Sequence, residues 1–136
     1  MTFRKLELPE ALKTGHAVID AQHARILDAI NRILERINMG GRNREALEAE
    51  LLALSNEVRS HFHDEERLLA QMGYSDLKAH RSHHTKTLRD LDTIQDIFAE
   101  NVLPAEWIIH TIIHLFISDV TVPDSLIARK LAPAAG

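Results

Sequence analysis

Residues 58–69 read VRSHFHDEERLL, and they decide the fold. Val58, Phe62 and Leu69 recur at helical spacing, and His61 and Glu65 fall on the same face as that apolar stripe. The stripe continues upstream through Leu47, Leu51 and Leu54, and Gly73 suits a helix C-terminus, so a helix is expected over about 42–72. A helix that turns an imidazole and a carboxylate inward must offer them something in the core.

Working outward, the same period recurs three times. Ile19, Ile26, Leu27, Ile30, Ile33, Leu34 and Ile37 make one face of a helix over about 17–38, and His23 lies on it. Ser75 followed by Asp76 is a good helix start for about 75–101, with His80 and His84 in its first half. A fourth helix is expected over about 104–121, from Pro104 until Pro123 stops it, with His114 and Asp119 near its end. Its segment Ile108–Ile117 is apolar nearly all round, which suits a buried helix and is too short for a membrane span. Residues 1–15 read as an extended arm. The expected architecture is an all-α, up-down-up-down four-helix bundle with that arm, one domain over 1–136.

Composition narrows the function. The chain has 136 residues, 45% hydrophobic and 26% charged, as in an ordinary globular domain. Sixteen Lys plus Arg against twenty Asp plus Glu give a net charge of −4, with no basic run to track phosphates, so nucleic acid is not an expected partner. Without cysteine, any metal must sit on nitrogen and oxygen. The N-terminus lacks a signal-like apolar run, so a cytoplasmic location is the default expectation, without membrane insertion. The chain is expected to be a monomer or a weak homo-oligomer.

Nine histidines stand out. His61 with Glu65, and His80 with His84, are four apart and only about 40° out of line on a helix, so each pair can aim two donors into one small volume. His114 and Asp119 are five apart and differ by about 140° on an ideal helix, so a shared site there needs a distorted last turn. With His23 the set is five His and two carboxylates, more than one ion takes from protein but suited to two metals with bridging carboxylates. Iron, manganese and zinc all fit those donors. Glu-x-x-His and His-Glu-x-x-His are both absent, which disfavours a ferritin-like di-iron bundle and a zincin-type protease. A lone His on an apolar face is usually a satisfied core residue, but seven such groups buried without metal would each cost about 1–3 kcal/mol. His16, His63 and His83 fall outside the pattern and are read as rim or solvent-facing.

In order and spacing these motifs resemble the hemerythrins, specifically the single-domain bacterial kind, from Gly15 to about Val120: GHAVIDAQH over 15–23, HFHDEE over 61–66, His80-x-x-x-His84, and His114-x-x-x-x-Asp119. The resemblance implies a non-haem centre of two iron ions, Fe2+/Fe3+, that binds dioxygen reversibly. By motif, His80, His84 and His114 would hold one iron, His23 and His61 the other, with Glu65, Asp119 and an oxo or hydroxo group bridging. The iron with two His would keep the open position. Asp20 would then support a ligand His from outside, or act on the helix dipole.

The chain departs from the family at His110 and Thr111, where Trp and Leu are usual, with Trp107 one turn earlier supplying bulk. A polar ligand pocket formed by His110 and Thr111 would favour an alternative, a di-iron enzyme reducing peroxide or nitric oxide. A zinc-filled structural bundle is a third reading. The leading expectation is a binding protein rather than an enzyme, serving oxygen transport, storage, delivery or sensing.

Overall fold

The computed structural model describes residues 3–39, 44–100 and 105–131. Its elements are a single 3-10 turn Glu10–Leu12, α1 Ala17–Asn38, α2 Arg44–Gln71, α3 Leu77–Glu100, α4 Ala105–Leu115, a π-helical segment Phe116–Thr121 and α5 Val122–Leu131. Leu115 and Val122, which flank the π segment, both keep right-handed helical backbone, so α4, the π segment and α5 form one rod. Helix α1 packs along α2 and α2 along α3, and the rod closes against α1 and α3. The result is a four-helix bundle with no strand among the described residues.

Each helix follows from its stripe. Ile26, Ala29, Ile30 and Ile33 of α1 meet Leu47, Leu51, Leu54, Val58 and Phe62 of α2 in a core that Leu91 and Phe98 of α3 and Ile108, Ile112, Leu115 and Phe116 complete. Helix α2 ends as its glycine predicts. Gly73 takes φ +69°, its N–H bonds the Ala70 carbonyl (3.2 Å), and the Tyr74 N–H reaches the Leu69 carbonyl (3.0 Å), the paired bonds of a Schellman stop. Helix α3 starts two residues after Ser75, with the Asp76 carbonyl accepting the His80 N–H at 3.0 Å. The expected starts of the second and fourth helices, at 42 and 104, lie outside the described residues.

The fourth helix does not stop at Pro123. Proline has no N–H for the Asp119 carbonyl four residues earlier, which would break a regular α ladder. Here the ladder has widened before the proline arrives: the Val122 N–H bonds the Ile117 carbonyl, five residues back, and helical backbone resumes beyond it. The rod is therefore longer than expected, and Glu106–Ala128 is, by length and composition alone, apolar enough to cross a membrane. In the bundle its Ile108, Ile112, Leu115, Phe116 and Val120 are buried in the common core.

The arm lies along α1. Asn31 Oδ1 accepts the Leu6 N–H (2.8 Å) while its Nδ2 donates to the Leu6 carbonyl (3.0 Å), and Asn38 does the same to Phe3, at 2.7 Å both ways. The two asparagines, two turns apart on α1, clamp the backbone of an extended strand and seat Leu6 and Leu8 on the core. Asn31→Ala removes one clamp and should lower unfolding free energy in urea by about 1–2 kcal/mol, with faster amide exchange at Leu6.

Candidate metal centre

Helix α1 brings His23 inward one turn before Ile26, α2 brings His61 and Glu65, α3 brings His80 and His84, and the rod brings Asp124. All six side chains are buried. Asp124 Oδ2 lies 2.7 Å from His23 Nε2 and 2.8 Å from His61 Nε2, and those two nitrogens are 3.2 Å apart. Glu65 Oε1 contacts His80 Nε2 and lies 3.3 Å from His84 Nε2, while its Oε2 is 3.4 Å from His61 Nε2. Two donor groups result, His23–His61–Glu65–Asp124 and Glu65–His80–His84–Asp124, each with its ligand atoms within 4.8 Å of one another. The two carboxylates belong to both.

This donor set fits a pair of metal ions. His23 Nδ1 and Asp124 Oδ1 are buried without a hydrogen-bond partner among the described residues, a cost that protein interiors rarely carry unless something binds there, and His84 has only carboxylate oxygens at 3.3–3.4 Å beside its two nitrogens. Two facing imidazole nitrogens at 3.2 Å need a proton or a cation between them. Four imidazoles and two shared carboxylates are hard and borderline donors of the kind that iron takes.

Electrostatics divides the carboxylates. Burial pushes Glu65 up, but the His80 and His84 imidazoles outweigh it and hold the carboxyl well below its ordinary value. Burial also pushes Asp124 up, and the adjacent Glu65 charge adds to it, so that Asp124 ends above its ordinary value despite His23 and His61. Burial lowers His80, yet its bond to Glu65 leaves it raised. Cations entering the cluster compete with protons for these groups.

His61 is aimed from outside. Its Nδ1–H donates to Gln22 Oε1 (2.6 Å), and Gln22 Nε2 donates to Asp64 Oδ2 (2.9 Å), which fixes the amide and leaves His61 Nε2 as the lone pair facing the cluster. Phe62 stacks flat on His84, with centroids 3.7 Å apart, and Phe116 meets the His23 ring edge-on. Sequence reading passed over Gln22; its signal was a buried amide beside a ligand histidine.

Of the residues singled out from sequence, the structure brings His23, His61, Glu65, His80 and His84 together. It does not bring His114 or Asp119. His114 is exposed, its Nδ1 3.5 Å from Ser118 Oγ, and Asp119 is partly exposed, with Oδ1 3.9 Å from His83 Nε2. The place expected for Asp119 is taken by Asp124, five residues on. The π segment is the reason: its wide turn puts Val120 and Asp124 in line with Ile112 and Phe116 on the inner side and leaves His114 and Asp119 outside. Ending the helix at Pro123 is what hid Asp124.

The expected polar pocket is not at the centre either. His110 is exposed, Trp107 is 40% exposed, and the Thr111 hydroxyl is spent on the Trp107 carbonyl at 2.7 Å. Asp20 does not touch a ligand histidine: its carboxylate accepts the N–H groups of Thr14 (2.8 Å) and Gly15 (3.0 Å) and the Thr14 hydroxyl (2.8 Å). Burial opposes the charge on Asp20, but these bonds hold it below its ordinary value. They fix a turn in which Gly15 takes φ +82°, where a side chain would be strained. That turn walls a cavity of about 310 Å3 whose other sides are Ile19, Leu68, Leu69, Met72 and Ile127, and which reaches Glu65 and Asp124.

Comparison with known proteins agrees with this geometry. The profile of the hemerythrin HHE cation-binding domain matches residues 14–131. The bacteriohemerythrin of Methylococcus capsulatus is 36% identical over 73 residues, 54% of each chain. That of Pseudomonas aeruginosa PAO1 is 35% identical over 78 residues, 57% of this chain and 50% of the relative. The chain thus aligns with about half the length of these curated relatives. A crystal structure of a leucine-to-phenylalanine mutant superimposes with a TM-score of 0.79 at 25% identity, covering 93% of this chain and 97% of the other.

Two substitutions check the ligand set. Asp124→Asn should drop bound metal below two ions per chain while Asp119→Asn leaves it at two, and Gln22→Ala should weaken binding by about 10–100-fold, all read by metal analysis after dialysis.

Proposed function

Because the chain belongs to the hemerythrin HHE cation-binding family, we propose that it binds dioxygen reversibly at a non-haem di-iron centre held by His23, His61, His80, His84, Glu65 and Asp124. The observation that carries this reading is the sharing of both carboxylates between two histidine pairs. When bound, ferrous iron supplies the electrons that hold dioxygen. The chain's own residues do the rest.

His23 with His61, and His80 with His84, would each hold one ion, with Glu65 and Asp124 available to both. Phe62, Phe116 and Leu69 make the surroundings apolar, which limits the water and protons that would release bound oxygen irreversibly. The mostly apolar cavity beside the Gly15 turn offers a small neutral molecule a path to the shared carboxylates. His110 and Thr111, on which the enzymatic alternative depended, face away from the centre, so the activity proposed is binding rather than turnover. Transport, storage, delivery and sensing all draw on that same step.

Protein loaded anaerobically with two ferrous ions per chain should develop a visible charge-transfer band on admission of oxygen and lose it under vacuum. Direct passage to a stable ferric spectrum, with no reversible stage, would refute the proposal. Leu68→Trp narrows the cavity and should slow oxygen association in stopped flow, with iron content unchanged.

A further inference from the structure

Outside the centre, one contact joins the two halves of the donor set. His83 lies on α3 between His80 and His84, and its Nε2–H donates to the main-chain carbonyl of Asp119 in the π segment at 3.3 Å. We propose that His83 is a positioning residue for the metal centre: its imidazole N–H ties the Asp119 carbonyl of the π segment to α3 and so holds the π-helical register in which Asp124 faces the cluster.

The register is what matters. A slip of one residue turns a side chain by about 100° around a helix, which would carry the Asp124 carboxylate away from His23 and His61 and bring Pro123 or Ser125 toward them. Val122 bonding back to Ile117 shows the wide turn in place, and the bond from α3 sits at its midpoint. His83 is itself held, since its own carbonyl accepts the Thr87 hydroxyl at 3.1 Å. The same helix carries His80 and His84, so the bond sets the rod that bears Asp124 against the helix that bears half of the imidazoles.

The inference rests on the cluster being a metal site, and the test separates the two. Metal-free full-length chain is titrated with Co2+ alone, and stoichiometry and affinity are read from visible absorption. If the wild type fails to take up two ions, the metal reading itself falls. Given two ions, His83→Ala should bind about tenfold or more weakly, whereas His83→Gln, whose carboxamide N–H can reach the same carbonyl, should stay near the wild type. The proposal is overturned if His83→Ala binds like the wild type, or if Gln is as poor as Ala. Thermal unfolding of the metal-free variants serves as the folding control, and His83→Leu replaces His83→Ala should the latter not fold.

Discussion

Four buried imidazoles set around two buried carboxylates are the constraint from which the rest of the structure follows. Burying such groups without partners is costly, and the bundle buries all six while leaving several of their atoms unpaired. The protein relieves part of that cost itself. His80 and His84 favour the charged form of Glu65, and Gln22 ties down the far side of His61. What remains is the demand for cations. The apolar stripes of the four helices do the folding, and the site occupies one end of the core they make.

Most of this was legible in the sequence, for a definite reason. His23, His61, Glu65, His80 and His84 sit on regular α-helix, where spacing translates directly into direction. The order of those motifs was specific enough to point to the family before any geometry was known. The rod defeated the same reasoning because its period changes inside the segment that matters. A five-residue spacing occurs twice there, His114 to Asp119 and Asp119 to Asp124, and only the placement of the π turn says which partner faces inward. Pro123, read as a stop, removed Asp124 from consideration. The asparagine clamps on the arm were missed because nothing periodic marks an amide that bonds main chain from a distant segment.

The positions around the centre divide by what holds them. Asp20 was read as a support for a histidine and instead fixes the turn at Thr14 and Gly15, so it shapes the mouth of the cavity rather than the ligand field. Gln22, two residues on and turned the other way, does support a histidine. Along one helical turn of α1, polar side chains thus shape the mouth of the cavity, orient His61 and, at His23, enter the cluster.

The distances along the chain between ligands carry a mechanical meaning. His23 and Asp124, whose side chains meet at 2.7 Å, are 101 residues apart, and His23 and His61 are 38 apart. A bond that closes a loop of about 100 residues removes roughly 4–5 kcal/mol of unfolded-state freedom in the chain-entropy treatment of covalent cross-links. This chain has no cysteine with which to make one. A metal bound across these side chains would act as its staple, tying the first helix to the last, and its loss would loosen the bundle as reduction loosens a disulfide-bonded domain.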